Sequence, residues 1–209
     1  MYIILKMIYI YGDSHGKFSF KGLSLPHKDC HESSVTMHRI GRDNTIVNYN
    51  GQNHNDTDTV VLAYGEVDCR CHIQRQIDTG RAEDDIIDEL VKNYFRTIKT
   101  QVTSTSKVIV VGIIPPTKRE DYERYHGPVT HAFPFLGSEE DRVRNTAKMN
   151  TLLEEMSIQN GYIYFNGYSY YTRPDGTLKH ELSDNCLHLG DNSVFLERFM
   201  ELYRDINKQ

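Results

Sequence analysis

The chain of 209 residues carries a formal net charge of −5 and contains 14 tyrosines, 8 phenylalanines and no tryptophan. This length suits one domain with a full hydrophobic core, so we expect residues 1–209 to form a single domain. The slightly acidic balance argues against a nucleic-acid-binding protein, and no apolar stretch is long enough to cross a bilayer, so we expect a cytoplasmic protein with neither nucleic acid nor membrane as its partner.

The first predicted strand, residues 8–11, is a short apolar run that stops at Gly12-Asp13-Ser14. A polar side chain that follows a strand and a glycine lies at the carboxyl edge of the sheet, where open α/β sheets bind their ligands. Ser14 is therefore the candidate nucleophile. The alternative is that Asp13 and Ser14 only cap a helix, because both residue types are good N-caps.

Four further strands and three helices are predicted from the spacing of apolar residues. The strands are residues 34–40, 59–64, 107–113 and 162–165, and the helices are residues 82–102, 138–160 and 192–206. Strands that alternate with helices indicate an α/β fold with a parallel sheet covered on both faces. Residues 16–33 show no clear period and are expected to be a loop, with room for a helical turn. Residues 117–137 are predicted to form an aromatic loop, in which His126 and His131 are candidates for contact with a substrate.

A base for Ser14 is predicted in the polar segment 183–190, just before the last helix. His188 lies there, four residues after Asp184. A carboxylate beside an imidazole holds one tautomer of the ring, so that the ring accepts a hydroxyl proton and is stabilised as the imidazolium. Asn185 is the alternative partner, because an amide also orients a catalytic histidine.

The sequence resembles the SGNH, or GDSL-like, hydrolase family of esterases and lipases in four short blocks. They are Gly12-Asp13-Ser14, Gly41, Gly65-Glu66-Val67-Asp68 and the segment from Asp184 to His188. The resemblance implies a three-layer α/β/α sandwich with a five-stranded, flavodoxin-like parallel sheet. It also implies a serine nucleophile, a histidine base with an aspartate behind it, an oxyanion hole from the first three blocks, and no metal or cofactor. We therefore expect Ser14, His188 and Asp184 to hydrolyse an ester on a small molecule or glycan through an acyl-enzyme. The polar and aromatic loops, together with the lack of an apolar lid-like helix in the sequence, favour a short acyl group such as acetyl on a carbohydrate.

Two blocks depart from the family pattern. The third usually reads Gly-x-Asn-Asp, and its asparagine helps to bind the oxyanion, whereas Val67 has no donor at that position. We therefore expect the N–H groups of Ser14 and Gly41 to form the hole, supplemented by Arg70. In the fourth block the family commonly has its aspartate three residues before the histidine, where this chain has Asn185. We favour Asp184 because a carboxylate also stabilises the protonated ring.

Other interpretations stay open at this point. The missing asparagine suits a catalytically inactive glycan-binding module on the same fold. An O-acyltransferase would use the same triad and pass the acyl group to a sugar hydroxyl instead of water. A zinc site is a further alternative, although neither group of short-spaced ligands matches a known zinc pattern; the groups are His27, Cys30 and His31, and Cys69, Cys71 and His72.

Overall fold

The computed structural model describes residues 6–102, 106–129 and 133–208. Within these ranges five parallel strands form one sheet in the order β2-β1-β3-β4-β5. This is the flavodoxin-like strand order, so the predicted fold class is confirmed. The strands are β1 (Ile8–Gly12), β2 (His27–Asp29), β3 (Thr59–Ala63), β4 (Lys107–Val111) and β5 (Ile163–Phe165).

Helices cover both faces of the sheet. Successive residues of each strand point to opposite sides, so alternate residues of β1 belong to two different buried clusters. Tyr9 and Tyr11 of β1 belong to one buried cluster, together with residues of α2, α4 and α6. Ile8 and Ile10 belong to a second cluster, together with residues of α7 and α8. The result is a three-layer α/β/α sandwich. The helices of the described ranges are α1 (Ser14–Ser19), α2 (Met37–Asp43), α3 (Ile73–Ile77), α4 (Glu83–Gln101), α5 (Arg119–His126), α6 (Glu139–Gln159), α7 (Tyr168–Tyr171) and α8 (Ser193–Ile206).

The predicted strand over residues 34–40 is wrong, because α2 begins at Met37. Two side chains set this helix start. Thr36 caps the helix by accepting the N–H of Arg39 (3.0 Å). The buried carboxylate of Asp68 accepts the N–H groups of Met37 (2.7 Å) and His38 (3.1 Å). Asp68 comes 31 residues later in the chain, so the local apolar pattern does not reveal the helix.

The second strand of the sheet lies at residues 27–29 instead, in a stretch that the sequence predicted to be a loop. This edge strand has the sequence His-Lys-Asp and is partly exposed, so it lacks the apolar run of a strand that is buried on both faces.

The aromatic segment 117–137 contains the helix α5, which the sequence did not predict. The other predicted helices and strands are present with ends that differ by one or two residues. Among the residues that the structure describes, no helix is both long and apolar enough to cross a membrane.

Candidate active site

Ser14 is the first residue of α1 and lies two residues after the end of β1. Asp13 caps this helix, because its Oδ1 accepts the N–H groups of His15 (2.8 Å) and Gly16 (3.4 Å). The chain is tightly packed here, since a Cβ at Gly12 would lie 2.7 Å from a carbonyl oxygen of the neighbouring strand β3. The turn thus combines the capping that was considered for Asp13 with the placement of Ser14 at the carboxyl edge of the sheet.

The loop of residues 184–188, here called the His188 loop, is closed by Asp184. The Oδ1 atom of Asp184 accepts the N–H groups of Cys186 (2.9 Å) and His188 (3.1 Å). The backbone N–H of Asp184 donates to the carbonyl of His188 (3.0 Å). Asn185 has a φ of +60°, a left-handed conformation that asparagine adopts more readily than most residues. These bonds fix the loop backbone and leave the second carboxylate oxygen for the imidazole.

Three side chains form one hydrogen-bonded series at the sheet edge. Ser14 Oγ lies 3.0 Å from His188 Nε2, and His188 Nδ1 lies 2.9 Å from Asp184 Oδ2. Because an ionised carboxylate only accepts hydrogen bonds, Nδ1 carries the ring proton and the lone pair of Nε2 faces the hydroxyl. The ring also stacks on Phe18, with centroids 4.3 Å apart, and lies 4.7 Å from the tilted ring of His15.

The charge of Asp184 follows from these contacts. Burial raises the pKa of its carboxyl, but the hydrogen bonds from the ring and the N–H of His188 outweigh burial, and the net pKa lies below the ordinary value. Asp184 is therefore ionised at neutral pH. The side chain that meets the ring is that of Asp184, which we favoured from the sequence. The backbone carbonyl oxygen of Asn185, the alternative residue, accepts a hydrogen bond from His126 Nε2 (2.8 Å).

A buried ionic cluster of His15, Glu66 and Arg70 lies next to the serine, and each member is at most 6% exposed. Both Glu66 oxygens accept from Arg70 Nε, at 2.9 and 3.2 Å. His15 Nε2 lies 3.3 Å from Glu66 and 3.1 Å from the carbonyl oxygen of Leu187. The cluster therefore joins the serine turn to the His188 loop.

Opposing effects set the charges in this cluster. Burial alone would lower the pKa of His15, but the carboxylates of Glu66 and Asp13 outweigh burial and the net pKa is raised. Burial alone would raise the pKa of Glu66, but Arg70 and His15 outweigh it and the net pKa is lowered. The sequence did not single out His15 or Glu66 for this role. Only the spacing of four residues between Glu66 and Arg70, typical of an ion pair on one helical turn, could have indicated it.

Gly41 does not occupy the position that we expected for an oxyanion-hole residue. It is the fifth residue of α2, not the end of a strand. A fifth helical residue donates its N–H to the carbonyl of the first, so this amide is used within the helix. A Cβ at Gly41 would lie 2.7 Å from the Asn93 side chain of α4. Close packing of two helices therefore explains this glycine, and its assignment to the hole is corrected.

Arg70 has partners other than the reacting groups. Besides Glu66, its guanidinium donates from Nη1 to the carbonyl oxygen of Phe133 and lies 5.8 Å from the centroid of the Phe135 ring. Val67, at the position of the family asparagine, is buried. A direct contact between Arg70 and an oxyanion stays a prediction.

Aromatic residues of α5 lie beside the His188 loop, to which His126 binds through the carbonyl oxygen of Asn185. The neighbouring Tyr125 is 54% exposed, and its ring stacks on His180 with centroids 5.4 Å apart. The other predicted contact residue, His131, lies outside the described residues. The helix thus contacts the His188 loop through His126 and carries one exposed aromatic ring, Tyr125.

Among the described residues, one group of side chains has the composition and spacing to bind a metal ion. The group is Asp184, Cys186 and His188, whose possible ligand atoms all lie within 4.8 Å of one another. This group coincides with the His188 loop. The two Cys/His groups that the sequence suggested do not form such a cluster within the same ranges.

No protein-family model matches the sequence, and comparison with curated protein sequences gives no match. Solved structures do match. The acetyl xylan esterase AlAXEase aligns with a TM-score of 0.57 and 15% identity over 94% of this chain and 98% of that chain. A GDSL-like lipase from Bacteroides thetaiotaomicron aligns with a TM-score of 0.56 and 13% identity over 97% of this chain and 88% of the other. The esterase EstA from Pseudoalteromonas sp. gives 0.51 and 12% over 98% and 100%. The protein therefore has the fold of the GDSL-like lipases and esterases, and its match to them is structural.

Proposed function

We propose that the protein is a serine esterase in which Ser14 is the nucleophile, His188 the base and Asp184 the residue that orients and stabilises the ring. The observation that carries this proposal is the series of hydrogen bonds from Ser14 Oγ to His188 Nε2 (3.0 Å) and from His188 Nδ1 to Asp184 (2.9 Å). The likeness of the fold to structures named as esterases and lipases supports the same reaction class.

The reaction is a two-step acyl transfer. Ser14 Oγ bonds to the ester carbonyl carbon while its proton moves to His188 Nε2, and the carbonyl oxygen becomes the tetrahedral oxyanion. The imidazolium, stabilised by Asp184, then protonates the leaving alcohol as the C–O bond breaks. Water attacks the resulting acyl-enzyme along the reverse proton path and releases the acid.

The oxyanion needs N–H donors, and the first is the backbone N–H of Ser14. We place the second in the loop after β2 instead of in α2. The N–H of Glu32 donates to the carbonyl of Gly12 (2.9 Å), so the loop follows β1 to its last residue, two residues before Ser14. Ser34 in this loop is exposed and has a φ of +65°, and strained backbone of this kind clusters at functional sites.

The proposed substrate is a short acyl group, such as acetyl, on a carbohydrate. The exposed ring of Tyr125, on the helix that His126 attaches to the His188 loop, offers an aromatic face of the kind that packs against sugar rings. Among the proteins of similar fold, AlAXEase is named as an acetyl xylan esterase. Tyr125→Ala is expected to raise KM for acetylated xylan and to leave KM for p-nitrophenyl acetate unchanged. Equal effects on both substrates would contradict the carbohydrate assignment.

Hydrolysis of p-nitrophenyl acetate by wild type and by Ser14→Ala tests the reaction itself. Loss of the nucleophile is expected to lower kcat by about 10⁴-fold or more. Ser24→Ala is the matched control, because Ser24 is an exposed serine whose hydroxyl contacts Met200, and its rate should equal that of wild type. A serine-reactive phosphonate should label Ser14 in wild type. Undiminished turnover in Ser14→Ala would refute the proposal.

A catalytically inactive glycan-binding module is the second candidate, and the buried Val67 in place of a donor favours it. That candidate predicts that wild type and Ser14→Ala bind acetylated xylan equally and that neither releases acetate. Release of acetate only when a sugar acceptor is absent, with transfer when it is present, would instead identify an O-acyltransferase that uses the same triad.

A further inference from the structure

The thiol of Cys186 lies within the group of residues that we assign to the reaction, yet the proposed mechanism does not use it. Cys186 is a free, partly buried cysteine between Asp184 and His188. A carboxylate oxygen, the sulfur and a ring nitrogen of these three residues lie within 4.8 Å of one another. Carboxylate, thiolate and imidazole are the three ligand types that zinc binds in proteins.

The separation of these atoms is close to that of a zinc site. Zinc binds sulfur at about 2.3 Å and nitrogen or oxygen at about 2.0 to 2.2 Å, so the ligand atoms of a tetrahedral site lie about 3.3 to 3.8 Å apart. Shifts of about 1 Å in side-chain position therefore suffice. The backbone of the loop is already held by the bonds of Asp184 Oδ1 to two N–H groups. Asp184 Oδ2 takes no part in these bonds; its partner is His188 Nδ1 at 2.9 Å, a bond that a cation between the two atoms would replace.

We propose that Asp184, Cys186 and His188 bind a thiophilic divalent cation such as Zn²⁺, and that the bound ion switches off the esterase. The proposed inhibition, unlike the proposed binding, rests on the proposed function. On binding, the thiol releases its proton to solvent and sulfur becomes the anionic ligand. If Nδ1 of His188 binds the ion, the ring proton moves to Nε2 and points at Ser14. If Nε2 binds it, the lone pair that faces Ser14 is taken directly. Binding of the ion to either nitrogen therefore prevents His188 from accepting the proton of Ser14.

The ligand set also predicts selectivity. Thiolate and imidazole favour Zn²⁺ and similar soft or borderline ions, whereas Mg²⁺ and Ca²⁺ prefer oxygen ligands. Mg²⁺ at the same concentration is therefore expected to leave the rate unchanged.

Binding is tested without reference to activity by titrating the Ser14→Ala protein with Co²⁺ alone. One equivalent of Co²⁺ should produce the near-ultraviolet absorption of a cobalt–thiolate bond. Cys186→Ala in the same background should abolish this band and weaken the binding of Zn²⁺ by at least tenfold in calorimetry. Cys30→Ala, which removes a buried cysteine near β1, should keep both. Absence of the band, or a band that survives Cys186→Ala, would overturn the site.

Inhibition is tested with ester hydrolysis, each variant being compared with its own rate in EDTA. Zn²⁺ should inhibit the protein with intact Cys186 reversibly, and Cys186→Ala should raise the concentration for half-inhibition at least tenfold. A thiol-dependent cobalt band with no effect of Zn²⁺ on an active enzyme would overturn the regulatory half. Metal binding by a wild-type protein that hydrolyses no ester would leave the site standing and refute the proposed function instead.

Discussion

Replacement of Asp184 by asparagine should reduce kcat/KM for p-nitrophenyl acetate by about 10⁴-fold, which corresponds to about 5.5 kcal/mol of transition-state stabilisation. In the wild type the carboxylate accepts the proton on His188 Nδ1 at 2.9 Å, and Nε2 presents its lone pair to Ser14 at 3.0 Å. An amide nitrogen at the same place donates to Nδ1. The ring proton then resides on Nε2 and faces the hydroxyl, so the ring cannot accept the serine proton.

The same substitution should leave the loop intact, because the amide oxygen of asparagine still accepts the two N–H groups that Oδ1 binds in the wild type. Thermal unfolding followed by circular dichroism checks this. Asn185→Gly is the control, since glycine adopts the φ of +60° found there, and its kcat/KM should stay within a few-fold of wild type. A rate for Asp184→Asn within tenfold of wild type, together with a large loss in Asn185→Gly, would refute the assignment of Asp184.

Three further substitutions test the surroundings of the site. Gly41→Ala should destabilise the fold by about 1–3 kcal/mol in urea unfolding, because its Cβ would lie 2.7 Å from a side-chain carbon of α4. Gly51→Ala is the control. Its Cβ would lie 3.8 Å from the nearest atom, so the free energy of unfolding should change by no more than about 0.5 kcal/mol. Burial raises the pKa of Asp68 to about 7, so the folded state keeps a proton that the unfolded chain loses at lower pH, and the free energy of unfolding falls as pH rises towards 7. Asparagine can accept only one of the two N–H groups that Asp68 binds, so the variant starts with a stability deficit at pH 5. The free energy of unfolding of Asp68→Asn relative to wild type should nevertheless rise by about 2–3 kcal/mol from pH 5 to pH 8, and a difference that does not change with pH would contradict the raised pKa. Arg70→Ala leaves Glu66 buried without its cation and should cost about 3–5 kcal/mol of stability; if Arg70 also supports the oxyanion, kcat of the folded variant should fall by about 10²–10³-fold, and unchanged kcat would remove it from that role.

The sequence predicted those strands and helices whose buried residues form a regular local pattern of apolar side chains. Strands β1, β3 and β4 are apolar runs because helices cover both of their faces. The edge strand β2 has no such run. The segment before Gly41 was misassigned because Val35, Met37 and Ile40 are all buried, a spacing that suits a strand as well as a helix. The carboxylate of Asp68, from another part of the chain, decides in favour of the helix.

The same distinction holds within the candidate site. Ser14, Asp184 and His188 were singled out because each lies in a short polar block next to a predicted element, and because the order of these blocks repeats that of the SGNH family. The contact of His15 with Glu66 could not be predicted in the same way. It depends on how the turn after β1 packs against the turn after β3, and that packing is a property of the folded sheet. The proposed oxyanion hole is hard to locate from sequence for the same reason, because a backbone N–H donor depends on the path of the chain and not on residue identity.

The proposed nucleophile and its proposed base are 174 residues apart in sequence and 3.0 Å apart in space. During synthesis the ribosome releases Ser14 long before His188, so under the proposed function a nascent or prematurely terminated product carries a serine hydroxyl with no base beside it and hydrolyses no ester. Ester hydrolysis would then show that the chain has been completed and folded. Two fragments divided between β3 and α8 should each be inert and regain activity only on reassociation, which suits this scaffold to use as a split reporter.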